Sequence, residues 1–187
     1  MVVIKWREAP TDRFTDLFDK YHGEIYRYVA GRLSASHADD LAAETFLVAF
    51  RDQAKLNDAG QTRAWLYGIA TNLIRRHHRD EERRYRALGR VGSHAEPADN
   101  DHERIISRVA AGVVQRELAA ALQDLKPADR DVLLLVALAD LGYAEVAVAL
   151  GIPEGTVASR LNRARKAVRA ALGGADPTRD NSSGANR

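Results

Sequence analysis

The sequence predicts an all-α protein of two small helical domains joined by a flexible linker, the second domain ending in a helix-turn-helix. Three observations lead there. Aliphatic and aromatic residues recur at helical spacing nearly throughout, with no convincing alternating run. Glycine and proline gather at a few breaks. Between Gly89 and His102 the stretch GRVGSHAEPADNDH loses periodicity and collects Gly, Ser, Pro, Asp and Asn, the composition of a flexible linker. The expected organisation is a first domain over 1–88, a linker over 89–102, a second domain over 103–172 and a disordered tail over 173–187, where GGADPTRDNSSGANR has too little apolar surface to bury.

In the first domain Phe14, Leu17, Phe18, Tyr21, Ile25, Tyr28 and Val29 mark a long helix, weakened mildly at Gly23. A second helix is expected to begin near Ser36. Ala42, Phe46, Ala49 and Phe50 line its buried side, and Asp39 and Asp40 are expected in its first turn, where the helix dipole favours acids. Leu56 to Gln61, LNDAGQ, is rich in turn formers and reads as a loop. A third helix follows from about Thr62, with Leu66, Ile69, Ala70 and Leu73 as its apolar stripe over Arg63 to Arg79. The second domain runs through Leu118, Leu122 and Leu125, turns at Lys126-Pro127, resumes through Val132, Leu133, Leu135 and Val136, and ends in the helix-turn-helix.

That last unit spans Tyr143 to Arg169. Tyr143, Val146, Ala147 and Leu150 follow the i, i+3, i+4, i+7 pattern of a short buried stripe. Gly151 supplies a left-handed stop, Pro153 cannot continue the first helix, and Ile152 is apolar enough to plug the corner. Val157, Leu161, Ala164 and Val168 then form the inward face of a second helix. Thr156, Ser159, Arg160, Arg163 and Lys166 fall roughly 140 to 260 degrees from Leu161 and point outward. Short hydroxyls mixed with Arg and Lys suit a DNA major groove, where Arg bonds a guanine edge bidentately and the others hold phosphates.

The third helix carries a second unusual face. Gly68, Asn72, Arg75, Arg76 and Arg79 lie roughly 180 to 280 degrees from Leu66, and Trp65 borders the same arc. Cations that follow phosphates, beside amide and aromatic groups that receive unstacked bases, are what a single-strand site needs.

Composition narrows the field. The chain has 187 residues, 45% hydrophobic and 29% charged, ordinary for a globular protein of one or two small domains. Its net charge of +2 is only mildly basic, so distribution matters more than total. From Arg63 to Arg90 eight basic residues face three acids, whereas from Thr11 to Asp58 nine acids outnumber six bases. With no cysteine, disulfides, thiolate nucleophiles and Cys-ligated zinc are excluded. No apolar run approaches a membrane span, and the N-terminus lacks a signal-peptide core, so a cytoplasmic location is expected. His37, Asp40 and Glu44, or His77, His78, Asp80 and Glu81, are the only groupings that suggest metal ligands. The first sits at a helix start where acids need no metal, and the second is embedded among arginines that oppose a cation. No catalytic motif stands out, so neither an enzyme nor a bound cofactor or metal is expected.

Three motifs, DDLAAETFLVAF (Asp39 to Phe50), RAWLYGIATN (Arg63 to Asn72) and GYAEVAVALGIPEGTVASRLNRAR (Gly142 to Arg165), occur in an order that resembles bacterial RNA polymerase sigma factors of the extracytoplasmic-function (ECF) group. The resemblance runs from about Phe14 to Leu172. It implies that Asp39, Asp40, Glu44 and Thr45 bind the polymerase clamp. It also implies that Asn57, Asp58, Gln61, Trp65, Asn72, Arg75, Arg76 and Arg79 surround the minus-ten element as the duplex opens. The second domain would grip the polymerase flap and insert its last helix into the minus-thirty-five element through Glu154, Thr156, Ala158, Ser159, Arg160, Asn162, Arg163 and Lys166. Ala158 departs from the family pattern, which commonly has Lys or Arg there, and a methyl bonds neither phosphate nor guanine. Partners implied are core RNA polymerase, promoter DNA in double- and single-stranded form, and an anti-sigma protein. The alternative is a helix-turn-helix repressor or activator, binding operator DNA as a dimer at half-sites about one helical turn apart.

Overall fold

A computed structural model describes residues 10–52, 59–89 and 113–172. Within them all regular structure is helical: α1 (Pro10–Ala30), α2 (Ala35–Arg51), a single 3-10 turn (Ala59–Gln61), α3 (Thr62–Gly89), α4 (Val113–Asp124), α5 (Pro127–Ala139), α6 (Tyr143–Leu150) and α7 (Glu154–Ala171). They fall into two compact units, one built on α1 to α3 and one on α4, α5, α7 and the first five residues of α6, the last three residues of α6 (Val148–Leu150) being grouped with the first. The stretch expected as a linker, apart from Gly89, and the expected tail lie outside the described residues. No described helix is long and apolar enough to cross a membrane.

The first unit is a three-helix packing around Ile25, Tyr28, Val29, Leu33, Ala42, Phe46, Leu66, Ala70 and Ile74, each at most 2% exposed. Burying an aliphatic side chain of this size contributes about 1.5–3 kcal/mol, which is what outweighs the ordering cost of the helices. Phe46 sits between Phe14 and Phe18 in edge-to-face contacts at centroid distances of 6.4 and 4.9 Å, the geometry that ring quadrupoles favour. α2 begins one residue earlier than the sequence suggested, so Asp39 and Asp40 fall beyond its first turn, which carries no acid. Their placement therefore owes little to the helix dipole, which acts within the terminal turn.

α3 runs ten residues past the expected end at Arg79, to Gly89. Pairs at i, i+3 and i, i+4 support the extension: Arg76 with Asp80 (3.8 Å), Arg83 with Asp80 (3.6 Å) and Arg86 with Glu82 (3.2 Å). Its buried face is also shifted. Tyr67, Ala70, Thr71 and Ile74 are buried, whereas Ile69 and Leu73 are half-buried. Polar Tyr and Thr enter the core because their hydroxyls are satisfied there. Arg32 Nη1 donates to Tyr28 Oη at 2.7 Å, Tyr28 Oη and Thr71 Oγ1 lie 2.9 Å apart, and Thr71 Oγ1 donates to the Tyr67 carbonyl at 2.7 Å.

In the second unit α5 and α7 pack together, α4 also lies on α7, and Val132, Leu135, Val146, Val157, Leu161 and Ala164 are at most 1% exposed. Pro127 opens α5 at the position where its missing N–H costs nothing. Asp140 closes α5 in the left-handed conformation, φ 50, which Asp tolerates better than most residues.

Candidate nucleic-acid interface

The corner between α6 and α7 is built as the sequence predicts. Gly151 takes φ 63, where a side chain would be strained, and the Ile152 N–H reaches back to the Ala147 carbonyl at 3.0 Å, closing the end of α6. At the other end of α6, Glu145 Oε2 accepts the Gly142 N–H at 2.9 Å, half of a capping box. The Pro153 carbonyl accepts the N–H groups of Thr156 and Val157 at 2.9 and 3.1 Å and starts α7. One expected stripe residue does not turn inward: Tyr143 is 43% exposed, because an eight-residue helix centred on buried Val146 cannot bury both ends of its stripe.

α7 separates its faces cleanly. Val157, Leu161 and Ala164 are fully buried, while Glu154, Ala158, Ser159, Asn162, Arg163 and Lys166 are exposed and Thr156 and Arg160 are half-exposed. Ser159 Oγ donates to the Thr156 carbonyl at 3.0 Å, leaving its oxygen free to accept. Arg163 is exposed but not unengaged. Its Nε donates to Asp129 Oδ2 at 3.1 Å and its Nη2 to Asp129 Oδ1 at 2.8 Å, a two-pronged pair between α7 and the first turn of α5. The two side chains are 58% and 8% exposed. The hydrogen bond from Arg163 holds the Asp129 carboxyl below the usual range against the opposing effect of burial, with the charges of Arg163, Arg160 and Lys126 adding to it. The same pairing keeps Arg163 firmly protonated. Nothing in the local sequence pattern marks Asp129, which lies 34 positions from its partner.

On the first unit, Gln61 in the 3-10 turn and Asn72, Arg76 and Arg79 on α3 are exposed and Trp65 and Arg75 half-exposed, so each described residue expected to meet opened DNA is accessible. Asn57 and Asp58 lie outside the described residues. Arg75 Nη1 donates to Asn72 Oδ1 at 3.4 Å. Arg76 stands within 4.0 Å of Glu44 on α2 as well as near Asp80, with 68% of its side chain in solvent. At the start of α3, Arg63 Nε donates to Glu24 Oε2 at 2.9 Å and Tyr67 Oη donates to the same oxygen at 3.4 Å, a link to α1 that sequence periodicity does not reveal. Burial, and then Glu24, push the Tyr67 phenol up to about 12.

Of the expected polymerase contacts, Asp39, Asp40 and Glu44 are exposed on α2. Thr45 is a correction. It is fully buried and its hydroxyl donates to the Leu41 carbonyl at 2.7 Å, so it serves the core and presents no surface to a partner. Among the described residues no group of three or more His, Asp or Glu is arranged to hold a metal ion. His37 instead lies 2.8 Å from Ser34 Oγ and packs its ring 4.6 Å from that of His77.

Exposed arginines on α3 in one unit and a helix-turn-helix in the other are features of a helical nucleic-acid-binding protein. The chain matches the family models for Sigma-70 region 2 over residues 17–84 and Sigma-70 region 4 over residues 115–168. It is 34% identical over 146 residues to the ECF RNA polymerase sigma factor SigC of Mycobacterium tuberculosis, covering 78% of this chain and 75% of that one. It is 31% identical over 178 residues to the ECF RNA polymerase sigma factor SigW of Bacillus subtilis, covering 89% and 92%. In fold it is similar to the sigma factor RpoE of Bartonella quintana, solved with the anti-sigma factor NepR, at a TM-score of 0.63 and 21% identity over 87% of this chain and 98% of that one. The chain belongs to the ECF family of RNA polymerase sigma factors and acts in promoter recognition.

Proposed function

We propose that the two units divide promoter recognition between them, the first meeting core polymerase and the opened minus-ten strand, the second reading the minus-thirty-five duplex. The exposed polar face of α7 over a fully buried Val157, Leu161 and Ala164 carries this reading, since it leaves a packed helix with its polar side open to solvent. Glu154, Thr156, Ser159, Arg160, Asn162, Arg163 and Lys166 face the duplex, with Ala158 contributing only shape. On the first unit Gln61, Trp65, Asn72, Arg75, Arg76 and Arg79, together with Asn57 and Asp58, meet the unpaired strand. Asp39, Asp40 and Glu44 present an acidic surface of α2 to basic residues of the clamp.

The protein works by binding and carries no chemistry of its own. Two DNA contacts on one chain act together, because engaging one raises the effective concentration of the other. The cytoplasm, where promoters and polymerase meet, is its place of action. Among solved structures of similar fold, the sigma factor RpoE is paired with the anti-sigma factor NepR and CnrH with the cytosolic domain of CnrY, which supports an anti-sigma protein as regulator here.

Mixing the purified protein with core polymerase and following run-off transcription tests the assignment. The expected result is a one-to-one complex that initiates at a specific promoter, with little promoter affinity in the protein alone. A dimer that binds operator DNA tightly without polymerase would overturn it in favour of a repressor or activator.

A further inference from the structure

The Asp129–Arg163 pair changes what Arg163 can do on DNA, a step that rests on the minus-thirty-five reading of α7. A guanidinium has five N–H donors. Here Nε–H and one Nη2–H are closed by the two Asp129 oxygens. The remaining end-on edge, one Nη1 hydrogen and the second Nη2 hydrogen, is still a parallel fork, and 58% of the side chain is in solvent. Asp129 is a firm anchor. Its side chain is 8% exposed and its backbone N–H donates to the Lys126 carbonyl at 2.9 Å in the first turn of α5. Arg163 therefore meets DNA with its long side chain already fixed, and the pair is electrically neutral.

We propose that Asp129 is a specificity-determining positioning residue, holding Arg163 so that its outer edge meets the O6 and N7 of one guanine in the minus-thirty-five duplex. An unpaired arginine at this place swings freely among neighbouring phosphates and adds attraction that is blind to sequence. Pinned at its inner edge and neutralised, it loses that generic attraction and keeps only directional donors, which discriminate between base edges. Asp129 also repels phosphate when Arg163 is absent, so the pair favours DNA only in its closed form. The flanking cations Arg160 and Lys166 remain for the backbone.

The test uses holoenzyme assembled from core polymerase and the full chain, selecting from promoters randomised across the minus-thirty-five element at several salt concentrations. The wild type is expected to prefer guanine at one position by about tenfold or more. Asp129→Asn and Arg163→Ala both flatten that same position, and the double variant is no flatter than Arg163→Ala alone. Asp129→Asn also binds non-promoter duplex more tightly, with the slope of log affinity against log salt steeper by about one unit as the freed guanidinium moves to phosphate. Arg163→Lys keeps charge and loses the preference, because an ammonium cannot serve a carboxylate and a guanine as paired forks. Thermal melting of each full-length variant checks folding. If Asp129→Asn stays folded and keeps full preference at the position that Arg163→Ala flattens, the proposal is wrong. It is equally wrong if neither variant changes any base preference while both lower the melting midpoint, since the pair is then only a brace between α5 and α7. A wild-type holoenzyme with no preference anywhere in the element overturns the minus-thirty-five reading itself, a result distinct from either of these.

Discussion

Three arginines in the C-terminal half of α3 and Arg163 of α7 hold their charges in opposite ways. Arg76, Arg83 and Arg86 pair with Asp80 and Glu82 at 3.2 to 3.8 Å along one helix, every partner at least 45% exposed. Arg163 pairs once, across two helices, with a carboxylate that is almost wholly buried. Exposed pairs of the first kind exchange with solvent and with one another at little cost, so the cations stay available to a flexible strand whose phosphates have no fixed place. A clasp of the second kind fixes one cation in one direction, which suits the rigid edges of stacked bases. The lesson is that accessible arginines of one chain differ in function according to what holds them.

Packing should set the largest effects and separate the two units. Leu161→Ala removes a side chain that is 1% exposed under α7, and a loss of about 2–5 kcal/mol is expected in the second unit. Differential hydrogen exchange on the full chain should show protection falling across α4, α5 and α7 while α1 to α3 keep theirs. Equal loss in both units would mean that they fold as one cooperative body.

Next in size is the alkaline limit of the first unit. The Tyr67 phenol is raised from 10.0 to about 12 in the fold, so native protein holds its proton more tightly than unfolded chain does. Stability from this source is full below pH 10 and falls as pH rises toward 12, by up to about 2 kcal/mol once the solvent around half-exposed Glu24 and Arg63 has screened the charges. Tyr67→Phe should remove that slope from a pH series of melting midpoints. An unchanged slope would place the alkaline transition elsewhere.

Acid acts on the second unit through the clasp. The folded Asp129 carboxyl lies below its unfolded value, so the stabilisation is complete above about pH 4 and is lost as pH falls through the lower folded value. Asp129→Asn should make the second unit less stable at neutral pH and less sensitive to acid, read from helix signal between pH 5 and pH 2. A variant as acid-sensitive as the wild type would show that the clasp contributes little to folding.

How far the sequence reaches follows the same division between local and distant. The α7 stripe of Val157, Leu161 and Ala164, the Gly151 corner and the Pro127 start are legible because each is a repeat or a stop written within a few residues. The α3 stripe is misread by one position because Tyr67 and Thr71 look polar in isolation and become core residues only through Tyr28 and Arg32 of another helix. Thr45, which the resemblance puts on the polymerase surface, is buried because its hydroxyl is satisfied by its own helix and needs no solvent. Tyr143 is read as buried from spacing alone, which does not register that α6 has only eight residues. Asp129 is invisible in this sense: a carboxylate three residues into a helix has an ordinary dipole explanation, and its real partner is far along the chain.

The smallest expected effect is the one that keeps the two kinds of arginine apart. Asp80 lies between Arg76 and Arg83 with 45% of its side chain exposed. Asp80→Asn should therefore shift stability by no more than the ~0.5 kcal/mol typical of exposed helix pairs. On holoenzyme bound to a fork-junction promoter with an unpaired minus-ten strand, the same change removes an anion beside two cations. Binding should tighten modestly, the salt dependence should steepen, and the preference among minus-ten sequences should stay as it was, because charge without fixed direction does not read bases. Asp129→Asn predicts the reverse pattern, lost preference at the minus-thirty-five element. Were Asp80→Asn to alter base preference as strongly, α3 would hold its arginines as rigidly as α7 holds Arg163, and the distinction between an adaptable and a directed cation would fail.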